Sequence, residues 1–215
     1  MNIRIRQGAI ALAVLATLAT VAGCAGTGAP TVSSADYDKD AAAVMAASFR
    51  EQGIVKTDRL TQDEVMVACS KFGHSLDDEL RERFQAATLA EVKWPSDGKY
   101  IGDWKEGEKI AQSGRGLTWT DKAGEANGGN CYNCHRITKK EISYGTIGPS
   151  LYQYGKVHGN TESTQKYVWA KIWNPNAYSA CTNMPRFGTH GILDEKQIRH
   201  IVALLLDPKS PVNAE

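Results

Sequence analysis

The sequence has 215 residues, of which 42% are hydrophobic, and a formal net charge of +1 at pH 7. This length allows one or two compact domains. The near-neutral charge, without long runs of one sign, excludes a nucleic-acid-binding protein, which needs a strong basic excess. No apolar stretch after residue 23 approaches the roughly 18 residues that a membrane span requires.

The N-terminus is predicted to be an export signal over residues 1–23. Arg4 and Arg6 precede an apolar run from Gly8 to Leu18, and small residues follow at a cleavage point. The string Val-Ala-Gly-Cys resembles a lipobox, in which Cys24 would be lipidated. Ordinary signal cleavage after Ala25 would instead remove Cys24. Both outcomes predict export, with the periplasm as the expected location and membrane attachment only through a lipid on Cys24.

Residues 24–36 are rich in Gly, Ala, Thr, Ser and Pro and are predicted to be a flexible linker. Residues 37–95 are predicted to be a helical extension. Within it we predict helices over residues 38–52, 62–72 and 76–92, with Gly53 ending the first, Thr61 capping the second and Gly73 stopping it. Pro95, Asp97 and Gly98 form a break that we interpret as a domain boundary. A second domain is predicted over residues 100–208.

The second domain carries a Cys-x-x-Cys-His motif, from Cys131 to His135. Two intervening residues place the two thiols at the separation of the two vinyl groups of haem, and the adjacent histidine then lies beneath the iron. A thioredoxin-like motif would need a strand-to-helix setting, and a zinc site would need a second ligand pair, and the sequence offers neither. We therefore predict one haem c, bound covalently by Cys131 and Cys134, with His135 as an axial iron ligand.

The elements around this motif predict the fold. A helix over residues 103–113 contains Gly107, where another helix can approach closely. The Gly148-Pro149 turn resembles the turn of class I c-type cytochromes whose carbonyl accepts the Nδ1 proton of the ligand histidine, although a plain surface turn is the alternative. Asp194 and Gln197 have capping-box spacing at the start of a final helix that Pro208 stops. We predict an all-α protein with a class I cytochrome c fold preceded by the helical extension.

The second axial ligand is predicted to be Met184. This methionine lies in a loop before Pro185 and has no evident packing role, and a thioether ligand suits a site for electron transfer. The other methionines and histidines of the mature chain are Met45, Met66, His74, His158, His190 and His200. Met45 and Met66 fall on apolar helical faces. His158 and His190, in glycine-flanked loops, remain the competing ligands.

Four segments in order resemble the SoxX family, the monohaem subunit of the SoxAX cytochrome of thiosulfate oxidation. They are GGNCYNCHR, TIGPSLYQYG, KIWNPNAYSACTNMPRFG and LDEKQIRHIVALLLDP, between about Ile101 and Pro208. The resemblance implies Cys131, Cys134, His135 and Met184 as the haem-binding residues. It also implies the redox subunit of a heteromeric L-cysteine S-thiosulfotransferase. A SoxA-like subunit would be catalytic, a SoxYZ-like carrier would accept the thiosulfate, and a soluble cytochrome c would take the electrons.

The chain has five cysteines, and two of them are unassigned once the haem pair and Cys24 are set aside. In an oxidising compartment two remaining thiols predict a disulfide between Cys69 and Cys181. Two buried free thiols are one alternative, and Cys181 as a displaceable iron ligand is another.

Two further functions remain open from the sequence. One is a freestanding periplasmic electron shuttle, and the other is a haem-based sensor with an open sixth position. A partner-binding subunit is expected to expose an apolar patch near the haem edge, whereas a shuttle is expected to expose a ring of charges.

Overall fold

The computed structural model of the chain describes residues 34–214, apart from the side chains of residues 34–36 and 74. The predicted signal peptide, Cys24 and most of the predicted linker lie outside the described residues. Every regular element within the described range is helical, and the one β-type contact is an isolated bridge between Gln52 and Val55. This confirms the all-α prediction. None of the described helices is long and apolar enough to cross a membrane.

The chain divides into two compact units between Phe49 and Arg50. The first contains helix α1, Ser34–Ser48, whose described side chains are exposed. This helix ends before Gly53, which we predicted as its stop; Gly53 instead has a φ of +55° in the tight turn between Gln52 and Val55. The second unit runs from Arg50 onward and contains residues 95–100.

Two helices of the predicted extension belong to this second unit, α2 at Glu64–Phe72 and α3 at Asp78–Ala90. Short 3-10 turns occupy Thr57–Leu60 and Gly73–Ser75. The cap of α2 is Asp63, whose carboxylate accepts from the backbone N–H of Met66, and not Thr61 as predicted. A carboxylate is favoured there because it also faces the positive end of the helix dipole.

The remaining helices form the region that carries the Cys-x-x-Cys-His motif. They are α4 (Trp104–Gln112), α5 (Tyr154–His158), α6 (Glu162–Trp173), α7 (Glu195–Leu206) and α8 (Pro211–Ala214), with 3-10 turns at Cys131–Asn133 and Pro175–Ala177. Helix α7 begins with the predicted capping box of Asp194 and Gln197. Helices α4 and α7 pack against each other at Gly107, where a Cβ atom would lie 2.1 Å from the carbonyl oxygen of His200. The predicted close approach is therefore present.

The break that we interpreted as a boundary is held to the core by polar contacts on both sides. The fully buried Trp169 donates from Nε1 to the carbonyl of Lys93, at 2.9 Å. The Arg199 guanidinium donates to both carboxylate oxygens of Asp97, at 2.7 and 3.0 Å. Bidentate pairs of this kind fix orientation as well as distance. The extension therefore continues directly into the core of the haem-binding region.

Candidate haem site

An apolar cleft brings together three residues that the sequence singled out, Cys131, His135 and Met184. The remaining lining comes from helices α4, α6 and α7 and from the segments between them: Ala111, Ile137, Leu151, Ile172, Phe187, Ile201, Leu204 and Leu205. Every one of these additional side chains is a hydrocarbon. Such a lining suits a large flat apolar group and excludes water from it.

The ring of His135 is held in one orientation. Its Nδ1 lies 2.7 Å from the carbonyl oxygen of Pro149. A carbonyl only accepts, so Nδ1 carries the proton and the lone pair of Nε2 is available to a metal. Gly148 makes this fit possible, because a Cβ atom there would lie 2.2 Å from Cε1 of the ring. The predicted Gly-Pro turn is thus the partner of the histidine and not a plain surface turn.

Cys131 begins the 3-10 turn that presents the motif and Cys134 follows it, and both thiols stand outside the disulfide. Asn130 enters this turn in the left-handed conformation, with a φ of +48°. Burial raises the pKa of the Cys131 thiol to about 12. An environment that disfavours a charged sulfur suits the uncharged thioether of a haem c.

The competing histidines do not line the cleft. His158 ends helix α5 with its ring against Tyr154, at 4.3 Å between ring centroids. His190 is exposed in the turn before α7. His200 accepts at Nδ1 from the backbone N–H of Asp103, at 2.8 Å, which makes it a hydrogen-bonded structural residue. Among the described methionines, Met184 is the one that lines this cleft.

Residues 105–208 match the cytochrome c family. The chain carries a cytochrome c domain. It is also 41% identical over 125 residues to an uncharacterized lipoprotein of Aquifex aeolicus (strain VF5). That alignment covers 58% of this chain and 59% of the relative, so it spans less than two thirds of the relative's length.

A cytochrome c domain implies covalently bound haem c and a role in electron transfer. The residues of the cleft fit that group: the Cys131 thiol, a histidine with Nε2 available, a methionine thioether and hydrocarbon walls. The second thiol, of Cys134, follows the 3-10 turn that Cys131 begins. Cys131 and Cys134 would form the thioethers, and His135 and Met184 would bind the iron. The haem would supply one-electron chemistry, and these residues with the apolar surroundings would tune its potential.

The loop that carries Met184 is fixed by polar contacts that the sequence did not reveal. Arg186 donates from Nε to the side-chain oxygen of Asn176, at 3.0 Å, and forms an ion pair with Asp63 at the start of α2. The arginine side chain is only 13% exposed. Asp63 and Arg186 are 123 residues apart in sequence, so no local pattern could have indicated this pair.

The predicted disulfide is present between Cys69 of α2 and Cys181, three residues before Met184. Next to the disulfide, Ala180 packs in a small buried cluster with Ala68 of α2, with Phe84 of α3 and with Leu76, which precedes α3. A covalent bond, an ion pair and an apolar cluster therefore join the extension to the loop that carries Met184, which we name the ligand loop. A groove lies beside the bond, lined by Met66, Asn183 and Arg186 among others.

A second polar group behind the haem motif was also not predicted. The hydroxyl of Tyr132 donates to Glu108 of α4, at 2.9 Å, and lies 3.2 Å from the Thr138 hydroxyl. Burial raises the pKa of Glu108 against the lowering effect of this hydrogen bond. The contact links α4 to the turn that carries both cysteines.

Protonation of Asp63 is expected to weaken the attachment of the Met184 loop. Burial opposes ionisation of Asp63, but hydrogen bonds from Arg186 and from the backbone N–H of Met66 outweigh it and lower its pKa below 3.8. A lowered pKa in the folded state adds stability above the unfolded value, and this stability is lost as the pH falls through the folded pKa.

Asp63→Asn should therefore lower the free energy of unfolding at pH 7 by about 1 kcal/mol or less, since the pair is partly exposed. The difference from wild type should shrink as the pH falls below about 4. Denaturant unfolding between neutral pH and pH 3 measures it. Asp58→Asn, which changes a nearby carboxylate outside the Arg186 contact, is the control. A difference that stays constant with pH would contradict this role for the ion pair.

Proposed function

We propose that this chain is the monohaem redox subunit of a periplasmic SoxAX-type L-cysteine S-thiosulfotransferase. The observation that carries the redox role is the cleft in which Met184 and an oriented His135 meet Cys131 of the motif. With His135 and Met184 both bound to it, the haem would serve electron transfer and not oxygen binding. A thioether ligand also favours ferrous iron and raises the potential.

The single Cys-x-x-Cys-His motif supports one haem c in this chain, on Cys131 and Cys134, with His135 and Met184 as axial ligands. The described cysteines leave no thiol for catalysis, because the other two form a disulfide. Conjugation would take place on a SoxA-like subunit, which joins thiosulfate to a cysteine of a SoxYZ-like carrier and releases two electrons. This chain would accept them one at a time and pass them to a soluble cytochrome c.

The surface beside the haem motif favours a partner-bound subunit over the freestanding shuttle. Ile142 and Ile147, in the loop after the motif, are 91% and 75% exposed. Exposed apolar side chains at one place indicate a protein interface, whereas a transient shuttle relies on charges. The disulfide between Cys69 and Cys181 ties the extension to the loop that carries Met184. A small soluble electron carrier does not need such an extension, so its presence also favours a subunit of a complex.

Export is part of the proposal. The relative in Aquifex aeolicus is named as a lipoprotein, which supports lipidation of Cys24 over its removal. A lipid there would place the protein at the periplasmic face of a membrane.

An experiment with the purified holoprotein distinguishes electron transfer from conjugation. Alone, it should be reduced by a chemical reductant and should give no thiosulfate-dependent mass increase on the SoxYZ-like carrier. Adding the SoxA-like subunit should restore the mass increase and reduce this haem. The measurement combines haem absorbance with intact mass spectrometry of the carrier. Modification of the carrier by this chain alone would refute the assignment. A complete mixture in which this haem stays oxidised would favour the shuttle instead.

A further inference from the structure

We infer that Ile142, Tyr144 and Ile147 form the docking surface for the redox partner, and that this partner presents an apolar patch with an acidic rim. The inference rests on the proposed function and specifies which surface of the cytochrome domain the catalytic subunit covers. We name residues 142–147, which contain these three side chains, the docking loop. The three side chains are respectively 91%, 39% and 75% exposed.

The docking loop lies directly against the haem motif. The backbone N–H of Gly145 donates to the carbonyl of Tyr132 at 2.8 Å. The backbone N–H of Gly148 donates to the carbonyl of Cys134 at 2.9 Å. Gly145 has no room for a side chain, since a Cβ atom there would lie 1.7 Å from the carbonyl oxygen of Asn133. A partner seated on the docking loop would therefore approach the motif that would hold the haem, which would give electrons a short path.

The loop is held in place before any partner binds. The Arg136 guanidinium lies 5.6 Å from the ring centroid of Tyr144 and 5.6 Å from that of Tyr152. Arginine over aromatic rings stabilises such an arrangement through cation–π attraction. Glu141 accepts from the backbone N–H of Ser143 at 2.9 Å. A loop held in this way loses little conformational entropy on binding, so its exposed isoleucines can contribute fully to affinity.

Charge around the docking loop specifies the partner. Residues 136–147 contain three basic side chains, Arg136, Lys139 and Lys140, and one acidic side chain, Glu141. An apolar centre with a basic rim is complementary to an apolar centre with an acidic rim. A second copy of this chain is disfavoured, because a two-fold contact would place the lysines of one copy near those of the other.

The double substitution Ile142→Ser with Ile147→Ser tests the surface, with the purified SoxA-like subunit as the probe. Val157→Ser is the matched control, since Val157 is 70% exposed but lies in α5, outside the docking loop. Isothermal titration should show a Kd raised by roughly tenfold to a hundredfold for the double variant and unchanged for the control. The haem spectrum and midpoint potential should match wild type in both. Lys140→Glu should weaken binding and reduce its dependence on salt.

The outcomes separate this inference from the proposed function. If wild type and both variants bind the SoxA-like subunit equally, the docking surface is wrong while the subunit assignment stands. If wild type does not bind that subunit, the subunit assignment fails and the inference fails with it. Sedimentation of the chain alone provides a further test: a dimer that the double serine variant converts to a monomer would show that a second copy occupies the docking loop, which overturns the inference.

Discussion

Replacing Met184 by alanine should abolish the charge-transfer band that a methionine–ferric haem bond gives at the red end of the visible spectrum. Among the methionines of residues 34–214, Met184 lines the cleft with His135, and neither His158 nor His190 lines it. Loss of the thioether removes the ligand that favours ferrous iron. The midpoint potential should fall by on the order of 0.1 V or more, within the ~0.8 V range that axial ligands span. Absorbance spectroscopy and redox titration of the holoprotein measure both effects.

Met66→Ala is the matched control, because Met66 lines the groove beside the disulfide and not the haem cleft. It should leave the band and the potential unchanged. The ligand assignment is wrong if wild type lacks the band and the spectrum instead changes in His158→Ala or His190→Ala. Covalent haem should remain in Met184→Ala, since both motif cysteines and His135 are untouched, so a loss of the band cannot be ascribed to a loss of haem.

Removing the disulfide should cause a large loss of stability. The bond joins residues separated by 112 positions, and closing a loop of that size stabilises the fold by roughly 4–5 kcal/mol in the chain-entropy model, with about 2–5 kcal/mol typical of native disulfides. Cys69→Ser, Cys181→Ser and the double variant should lose the same amount, because each breaks the same single bond. Denaturant unfolding of the three holoproteins measures it.

The same variants should loosen the iron–methionine bond. Cys181 lies three residues before Met184, so without the disulfide the ligand loop is held to α2 by the Asp63–Arg186 pair and the apolar cluster around Ala180. The charge-transfer band should then disappear at a lower temperature or denaturant concentration than in wild type. Peptide mapping without reductant should recover a cross-linked Cys69–Cys181 peptide. Alkylation of both thiols in unreduced protein would show that the bond is absent.

Local patterns in the sequence were sufficient for the haem motif and for the helices near it. The spacing of Cys131, Cys134 and His135 follows from the dimensions of haem, and the capping box of Asp194 and Gln197 is complete within four residues. Because these interactions are short in sequence, they do not depend on the remainder of the chain. Gly107 could likewise be recognised, since a glycine within a helical pattern indicates a close approach even before the approaching helix is known.

Contacts between distant segments were decided only by the tertiary structure. The ion pair of Asp63 with Arg186, the hydrogen bond of Tyr132 to Glu108 and the bidentate pair of Asp97 with Arg199 each join segments with no common local pattern. Pro95 and Gly98 signal a local break in the backbone, but they carry no information about the long-range packing on either side of it. Residues 50–214 lie in one compact unit. Within it the buried indole of Trp169 needs a hydrogen-bond partner, and the extension supplies one in the carbonyl of Lys93, which no local pattern could indicate.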